Sequence, residues 1–60
     1  MNRQRLLKML EGKWVQVGQT KWSQVVDGYV DMGSYKSRLG GWHISHLVRL
    51  LMTARTRAPG

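Results

Sequence analysis

The C-terminal third of the chain carries the apolar pattern that most constrains the fold. Apolar side chains recur there at spacings of three and four residues: Ile44, Leu47, Val48 and Leu51. This spacing predicts an amphipathic helix with one buried side, which Leu50 and Ala54 widen. His46, Arg49 and Thr53 fall on the other side of that helix and should face water. The rest of the chain must therefore supply an apolar surface that covers this helix.

Length limits what can be built around that helix. A domain of 60 residues buries only roughly 60% of the surface that its unfolded chain exposes, so few residues are left over for a deep cleft. The absence of cysteine excludes disulfides and zinc fingers. We find no signal-peptide pattern and no apolar run long enough to span a membrane. We therefore expect one basic domain over residues 1–57 in the cytoplasm, with a frayed tail at 58–60 and no membrane partner.

Two short elements are predicted before residue 20. Three leucines share one face of a helix predicted over residues 3–11. Asn2 is suited to the N-cap of that helix, and Gly12 is suited to its C-terminal stop. Over residues 13–18 the valines alternate with polar residues, which predicts a short strand.

Residues 20–33 fit two different structures. As a helix they present an apolar face made of Trp22, Val25, Val26 and Tyr29. As a hairpin they place Asp27-Gly28, the dipeptide that best supports a type I′ turn, between two short strands. The hairpin register pairs Val25 with Val30 and Val26 with Tyr29. A helix would have Gly28 in its interior, which would lower its stability by about 1 kcal/mol, so we favour the hairpin slightly.

The remaining segments complete an α+β mini-domain. Residues 33–41 are rich in glycine and serine and are predicted to form a loop. Residues 42–44 are predicted to form a last short strand, with Ser45 as the N-cap of the C-terminal helix. Trp14 and Trp22 are predicted to lie in the core, because so small a domain needs its largest apolar side chains to form one. The predicted order is an N-terminal helix, two or three short antiparallel strands and a C-terminal helix.

Net charge is +7 and is unevenly distributed. Residues 36–60 carry five cations and no acid, whereas residues 13–35 are neutral overall. A field of one sign attracts polyanions. His43 and His46 have no cysteine or nearby carboxylate to complete a metal site, and no nucleophile elbow or phosphate loop is present. We therefore expect a binding module rather than an enzyme, without metal or cofactor.

The cations of the C-terminal half are predicted to contact the phosphates of a nucleic acid. Aromatic side chains that lie among them in the sequence are predicted to pack on the same nucleic acid. The predicted nucleic-acid-binding residues are Lys36, Arg38, Arg49, Arg55, Arg57 and Tyr35. Trp42 is interleaved with them. The alternative is a solvated basic face that binds no ligand, and the sequence does not distinguish DNA from RNA.

Two stretches resemble parts of small helix-turn-helix proteins from phages and other mobile elements. Residues 4–17, QRLLKMLEGKWVQV, are similar to the first helix of those proteins and the strand after it. Residues 40–55, GGWHISHLVRLLMTAR, look like a winged-helix strand that runs into a final helix. This resemblance implies a winged-helix-like fold that binds DNA, with Lys36 and Arg38 in a wing or recognition segment.

The order of elements also resembles that of the head-tail joining proteins of lambda-like phages. Residues 10–17, LEGKWVQV, are similar to their junction between helix and strand, and residues 53–60, TARTRAPG, are similar in character to their basic tail. This second resemblance implies a structural role in a virion, and both resemblances imply a phage-like origin.

The sequence thus favours a small basic DNA-binding protein of a phage or mobile element, with a regulatory or accessory role. Its C-terminal half would contact the phosphates of duplex DNA. The alternative is a non-enzymatic interaction protein, either a virion connector or an inhibitor of a host protein. Its basic tail would then meet an acidic partner or another copy of the chain. The expected location is the host cytoplasm or the virion.

Overall fold

Residues 2–59 are described by the computed structural model, and they form a small α+β domain, as predicted. The elements in chain order are α1 (Arg3–Leu10), β1 (Trp14–Gln16), β2 (Trp22–Gln24), β3 (Tyr29–Asp31), β4 (Lys36–Arg38), a 3-10 turn (Leu39–Gly41) and α2 (Ile44–Thr53). β1 pairs with β2 and β3 pairs with β4, both antiparallel. The two helices thus lie at the ends of the chain, with four short strands between them.

Helix α1 begins and ends where the local sequence predicts. The Asn2 side chain accepts a hydrogen bond from the backbone N–H of Arg5 at 2.8 Å, which satisfies one of the free donors of the first turn. The helix ends before Gly12, whose φ of +82° is the left-handed conformation that glycine adopts most easily. Both capping predictions are therefore confirmed, and the predicted strand after Gly12 is confirmed as β1.

The ambiguous segment forms a hairpin, as we favoured. Asp27 and Gly28 have φ values of +54° and +79°, the positive pair that a type I′ turn requires. The flanking residues Val26 and Tyr29 exchange backbone hydrogen bonds of 3.0 and 2.9 Å. The Glu11 carboxylate accepts hydrogen bonds from the backbone N–H groups of Asp27 and Gly28, at 2.7 and 2.9 Å. The end of α1 therefore holds the tip of this hairpin.

Strands β2 and β3 separate soon after the turn. The predicted pairing of Val26 with Tyr29 is confirmed. The predicted pairing of Val25 with Val30 is wrong, because the backbone of Val25 bonds to Lys13 and Gly12 beside β1, at 2.8 Å each, and Val30 pairs with β4. Further along, the backbone N–H of Asp31 donates to the Ser23 hydroxyl at 2.8 Å, not to a carbonyl of β2. A gap therefore opens between β2 and β3.

The prediction of a loop over residues 33–41 is wrong. Only a tight turn is irregular: Met32 N–H donates to the Tyr35 carbonyl at 2.8 Å, and Asp31 accepts from Gly33 N–H at 2.8 Å. The chain then forms β4, whose Ser37 lies opposite Val30 of β3. The strand was missed because Lys-Ser-Arg carries no apolar residue, and its pairing with β3 is a tertiary contact.

The entry to α2 also differs from the prediction. Residues 42–44 form no strand, because Trp42 N–H bonds back to the Leu39 carbonyl at 3.0 Å and Ile44 already belongs to the helix. The N-cap is His43 and not Ser45: the imidazole Nδ1 of His43 accepts from the backbone N–H of Ser45 at 3.2 Å. Ser45 contributes a side-chain contact to the same Nδ1, at 2.8 Å.

The core is aliphatic and lies between the helices and the inner face of the strands. Its fully or nearly fully buried apolar residues are Leu6, Leu10, Val15, Val25, Val30, Leu39, Leu47 and Leu50. The predicted buried side of α2 is confirmed for Leu47 and Leu50, with Ile44, Leu51 and Ala54 partly buried, but the prediction is wrong for Val48, which is exposed. At the C-terminus, Ala58 and Pro59 are exposed and carry no regular structure, while Gly60 lies outside the described residues.

Leu47 should be far more sensitive to truncation than its neighbour Val48. Leu47 is fully buried, whereas 39% of the Val48 surface is exposed. Leu47→Ala should lower the free energy of unfolding by about 2 to 5 kcal/mol, and Val48→Ala by less than about 1 kcal/mol. Urea titrations followed by far-UV circular dichroism measure both values. Equal losses would contradict the orientation of α2.

The contact between Glu11 and the hairpin turn gives a second prediction. Glu11→Ala removes the acceptor of two turn N–H groups and should cost about 1 kcal/mol of stability, because water can hydrate these exposed groups in part. Glu11→Gln keeps one acceptor oxygen, so its stability should lie between that of Glu11→Ala and that of the parent protein. Gln4→Ala, at another exposed position near the start of α1, is the control and should leave the thermal midpoint unchanged. A Glu11→Ala variant as stable as the control would show that the turn does not need this contact.

Candidate nucleic-acid interface

The outer face of the strands is open to water and carries most of the aromatic side chains. Paired residues of antiparallel strands point to the same side, and residues two apart share a face. The inner positions Val15, Ser23 and Val30 are buried. The outer positions are Trp14, Gln16, Trp22 and Gln24 on β1 and β2, and Tyr29, Asp31, Lys36 and Arg38 on β3 and β4.

The assignment of Trp14 and Trp22 to the core is wrong. Both side chains are only half-buried, and neither belongs to the buried cluster. The cause is the alternation of side chains along a strand. Val15 takes the inner position, so its neighbour Trp14 lies on the outer face. Eight aliphatic residues fill the interior without any tryptophan. The two indoles are therefore available to a ligand.

An open groove of about 560 Å³ lies where β2 and β3 separate. Its walls include Trp14 and Trp22 on one side and Tyr29 on the other, with Lys36 at the edge. Tyr29 keeps 42% of its surface exposed. The groove thus has aromatic walls that are accessible from solvent.

Arg55 joins this face through its backbone. The chain after α2 runs beside β1: Trp14 N–H donates to the Arg55 carbonyl at 2.7 Å, and Arg55 N–H donates to the Trp14 carbonyl at 2.8 Å. This antiparallel bridge sets the Arg55 side chain on the same face as Trp14. Arg57 follows two residues later, and a smaller hollow is lined by both arginines together with Trp22 and Pro59. The bridge fixes the position of the start of the basic tail.

The cations lie along a series of adjoining hollows. Trp22 lines both the main groove and the hollow of Arg55 and Arg57. Trp22 and Arg55 also line a third hollow, which shares Gln16 and Thr53 with a fourth that reaches Arg49. We call this route the basic path. It runs from Lys36 through Trp22 to the hollow of Arg55 and Arg57, and on to Arg49. Four of the predicted binding residues lie on it: Lys36, Arg49, Arg55 and Arg57.

Two of the predicted residues lie outside the basic path. Arg38 is on the outer face opposite Tyr29, but its side chain lies beside Gly40 and does not line the main groove. Tyr35, in the β3–β4 turn, is 60% exposed and lines none of the hollows described above. The segment that the winged-helix resemblance assigns to a wing is therefore the β3–β4 hairpin. Trp42 has a structural contact, because its indole N–H donates to the Ser37 hydroxyl at 2.9 Å.

Sequence reasoning missed the aromatic residues of the groove. The sequence predicts a core position for Trp14 and Trp22 and a strand or helix position for Tyr29. The available signal was alternation: Trp14 and Gln16 flank Val15, and Tyr29 and Asp31 flank Val30, so each triplet has one inner and two outer residues. Applied strictly, this period of two would have placed the aromatics outside.

The acidic side chains modify the charge at one end of the groove. Asp27 and Asp31 line it near Lys36, and Asp31 lies directly opposite Lys36 in the strand register. Glu11 is directed at the turn backbone. The positive charge is therefore concentrated at the end of the path with Arg55 and Arg57, while the groove itself is closer to neutral.

The histidines have local structural contacts. His43 caps α2, and the His46 ring meets the edge of Trp42 with ring centroids 6.2 Å apart and planes at 77°. Within residues 2–59 no group of three or more His, Asp or Glu side chains is placed to hold a metal ion. In the same residues neither helix is long and apolar enough to cross a membrane.

Comparisons with protein-family models, with curated proteins and with solved structures found no match to this chain.

The hydroxyl of Ser23 bridges the gap between β2 and β3, which gives a third prediction. Ser23 is nearly fully buried, and it accepts the hydrogen bond of Asp31 N–H. Ser23→Ala leaves that donor without its acceptor and should cost about 1 to 3 kcal/mol. Hydrogen exchange at the Asp31 amide should accelerate at the same time. Ser34→Ala, in the exposed β3–β4 turn, is the control. Unchanged Asp31 exchange in Ser23→Ala would contradict this account of the gap.

Proposed function

We propose that this protein binds DNA through its phosphate backbone, and that the cations of the basic path and Arg38 on the outer face make the contacts. The observation that carries the proposal is the bridge between Arg55 and Trp14, which places the start of the basic tail on the aromatic outer face. A cation fixed in this way beside two half-buried indoles of the outer face matches a ligand that combines regular negative charge with flat ring systems. Nucleic acid is the biological polymer with both properties.

Charge and size agree with this proposal. The chain carries +7 in only 60 residues, and five cations lie on the outer face, on the path or on both: Lys36, Arg38, Arg49, Arg55 and Arg57. Lys/Arg contacts to phosphate supply most of the affinity of small basic domains, and they release counterions when they form. Lys36 should contribute least of the five, because Asp31 lies opposite it.

The two family resemblances suggest where such a protein acts. We propose a regulatory or accessory protein of a phage or mobile element, without enzymatic activity, located in the host cytoplasm or in the virion. The competing proposal is a virion connector or an inhibitor that docks on a host protein. In that case the same cations would meet an acidic protein surface.

Salt dependence tests the proposal. Binding to a fluorescent 16-base-pair duplex of random sequence, measured by anisotropy, should weaken as salt rises, with a log-log slope of about −4 to −5 for about five phosphate contacts. Arg55→Ala combined with Arg57→Ala should weaken binding to every duplex alike and reduce the slope by about 2. The substitutions keep the backbone of residue 55 and hence its bridge to Trp14.

The control for this experiment removes the same charge from the helix layer. Arg5 and Lys8 are exposed residues of α1, which lies on the other side of the strands. Arg5→Ala combined with Lys8→Ala should leave the slope within experimental error of the parent protein. Equal effects of the two double variants would show that only the overall charge matters. No binding of the parent protein at low salt would reject DNA and favour the protein-partner proposal.

A further inference from the structure

We infer that the preferred ligand is single-stranded DNA, with unpaired bases in the groove between β2 and β3 and phosphates on Arg55 and Arg57. This inference rests on the proposed function, because it specifies the form of DNA that the same face binds. The observation behind it is the placement of Trp14, Trp22 and Tyr29 around one groove. None of the three is required to fill the core.

The strand register explains why these aromatics form a platform. Trp14 lies opposite Gln24, and Gln16 lies opposite Trp22, so the two indoles sit diagonally on one face of the β1–β2 hairpin. Tyr29 faces them from β3 across the gap. A base with a free π-face can stack on such side chains, whatever its identity. In a duplex the faces of the bases are covered by their stacked neighbours, so the same side chains could reach only base edges, sugar and phosphate.

The charges around the groove indicate how a bound DNA strand would be oriented. Arg55 and Arg57 border Trp22 on one side, where a phosphate backbone would gain most. Asp27 and Asp31 border the groove on the other side, where phosphate would be repelled. Carboxylates can accept hydrogen bonds from the amino groups of bases. The backbone should therefore follow the arginines, with the bases directed across Trp22 toward Tyr29.

A polyanionic strand explains this surface better than an apolar peptide or a second copy of the chain does. The groove wall is aromatic, but its border carries Arg55 and Arg57, which also line the adjoining hollow. A second copy would bring an identical basic border to the same place, and the two would repel each other. An apolar peptide would use the indoles and leave the arginines without a role.

The test compares strand forms and removes one aromatic side chain at a time. The probes are a fluorescein-labelled 12-nucleotide oligo(dT) and a 12-base-pair duplex, both titrated with the full chain at the same low salt. The parent protein should bind the single strand more tightly than the duplex. Trp22→Ala and Tyr29→Ala should each weaken oligo(dT) binding by about 5- to 150-fold, the range found when one stacking side chain is removed. Duplex binding should change less than about twofold.

Matched controls separate stacking from folding and from charge. Tyr35→Ala removes an aromatic residue that is more exposed than Tyr29 but lies outside the groove, so it should leave oligo(dT) binding unchanged. Trp22→Phe keeps a ring at the central position and should retain much of the affinity. Because 42% of the Tyr29 surface is exposed, Tyr29→Ala should disturb the fold little, and it keeps the test decisive if Trp22→Ala does not fold.

Failure of this inference and failure of the proposed function would look different. If the duplex binds with the expected salt slope, and Tyr29→Ala binds oligo(dT) as tightly as Tyr35→Ala and the parent do, then the proposed function stands and the base-stacking inference is overturned. If neither probe binds at low salt, both fail together. If sedimentation shows a dimer that Tyr29→Ala dissociates while oligo(dT) affinity is unchanged, the groove is an interface between copies and the inference is again overturned.

Discussion

The arrangement of the strands starts from one carboxylate that holds the tip of a hairpin. Glu11 follows α1 directly and accepts both N–H groups of the turn formed by Asp27 and Gly28. A type I′ turn presents these two groups on the same side, so a single carboxylate can bind both. Next to it, Gly12 N–H bonds to the Val25 carbonyl. With its tip fixed to the end of α1, β2 remains paired with β1, and β3 is free to diverge from it.

That divergence has an energetic consequence for the aromatic residues. Burial of apolar surface stabilises a small domain by roughly 25 cal/mol per Å², so a chain of this length gains most by placing its largest side chains inside. Here the interior holds only Leu and Val, and Trp14 and Trp22 are left half-exposed on the outer face. The stabilisation that two buried indoles could supply is thus partly given up. Such an arrangement is reasonable where the exposed rings contact a ligand.

The features that sequence could predict are those specified by neighbouring residues. Asn2 at the N-cap, Gly12 after α1 and the Asp27-Gly28 turn each depend on the backbone preference of one or two residues, and all three are confirmed. The missed features depend on distant pairing. The strand β4 is held by β3, and Arg55 is held by Trp14, forty-one positions earlier in the chain. A polar triplet or a basic tail carries no local mark of such a partner.

If this face binds DNA as proposed, two physically different contributions would hold the ligand. The contribution of Arg55 and Arg57 comes from charge, acts at a distance comparable to the Debye length and weakens with salt. The contribution of Trp22 and Tyr29 comes from contact between rings and is short-ranged and nearly independent of salt. Charge would thus bring any DNA to this face, whereas only a strand with accessible bases could use the groove. Because Trp22 lines both the groove and the arginine hollow, it is the residue at which the two contributions meet.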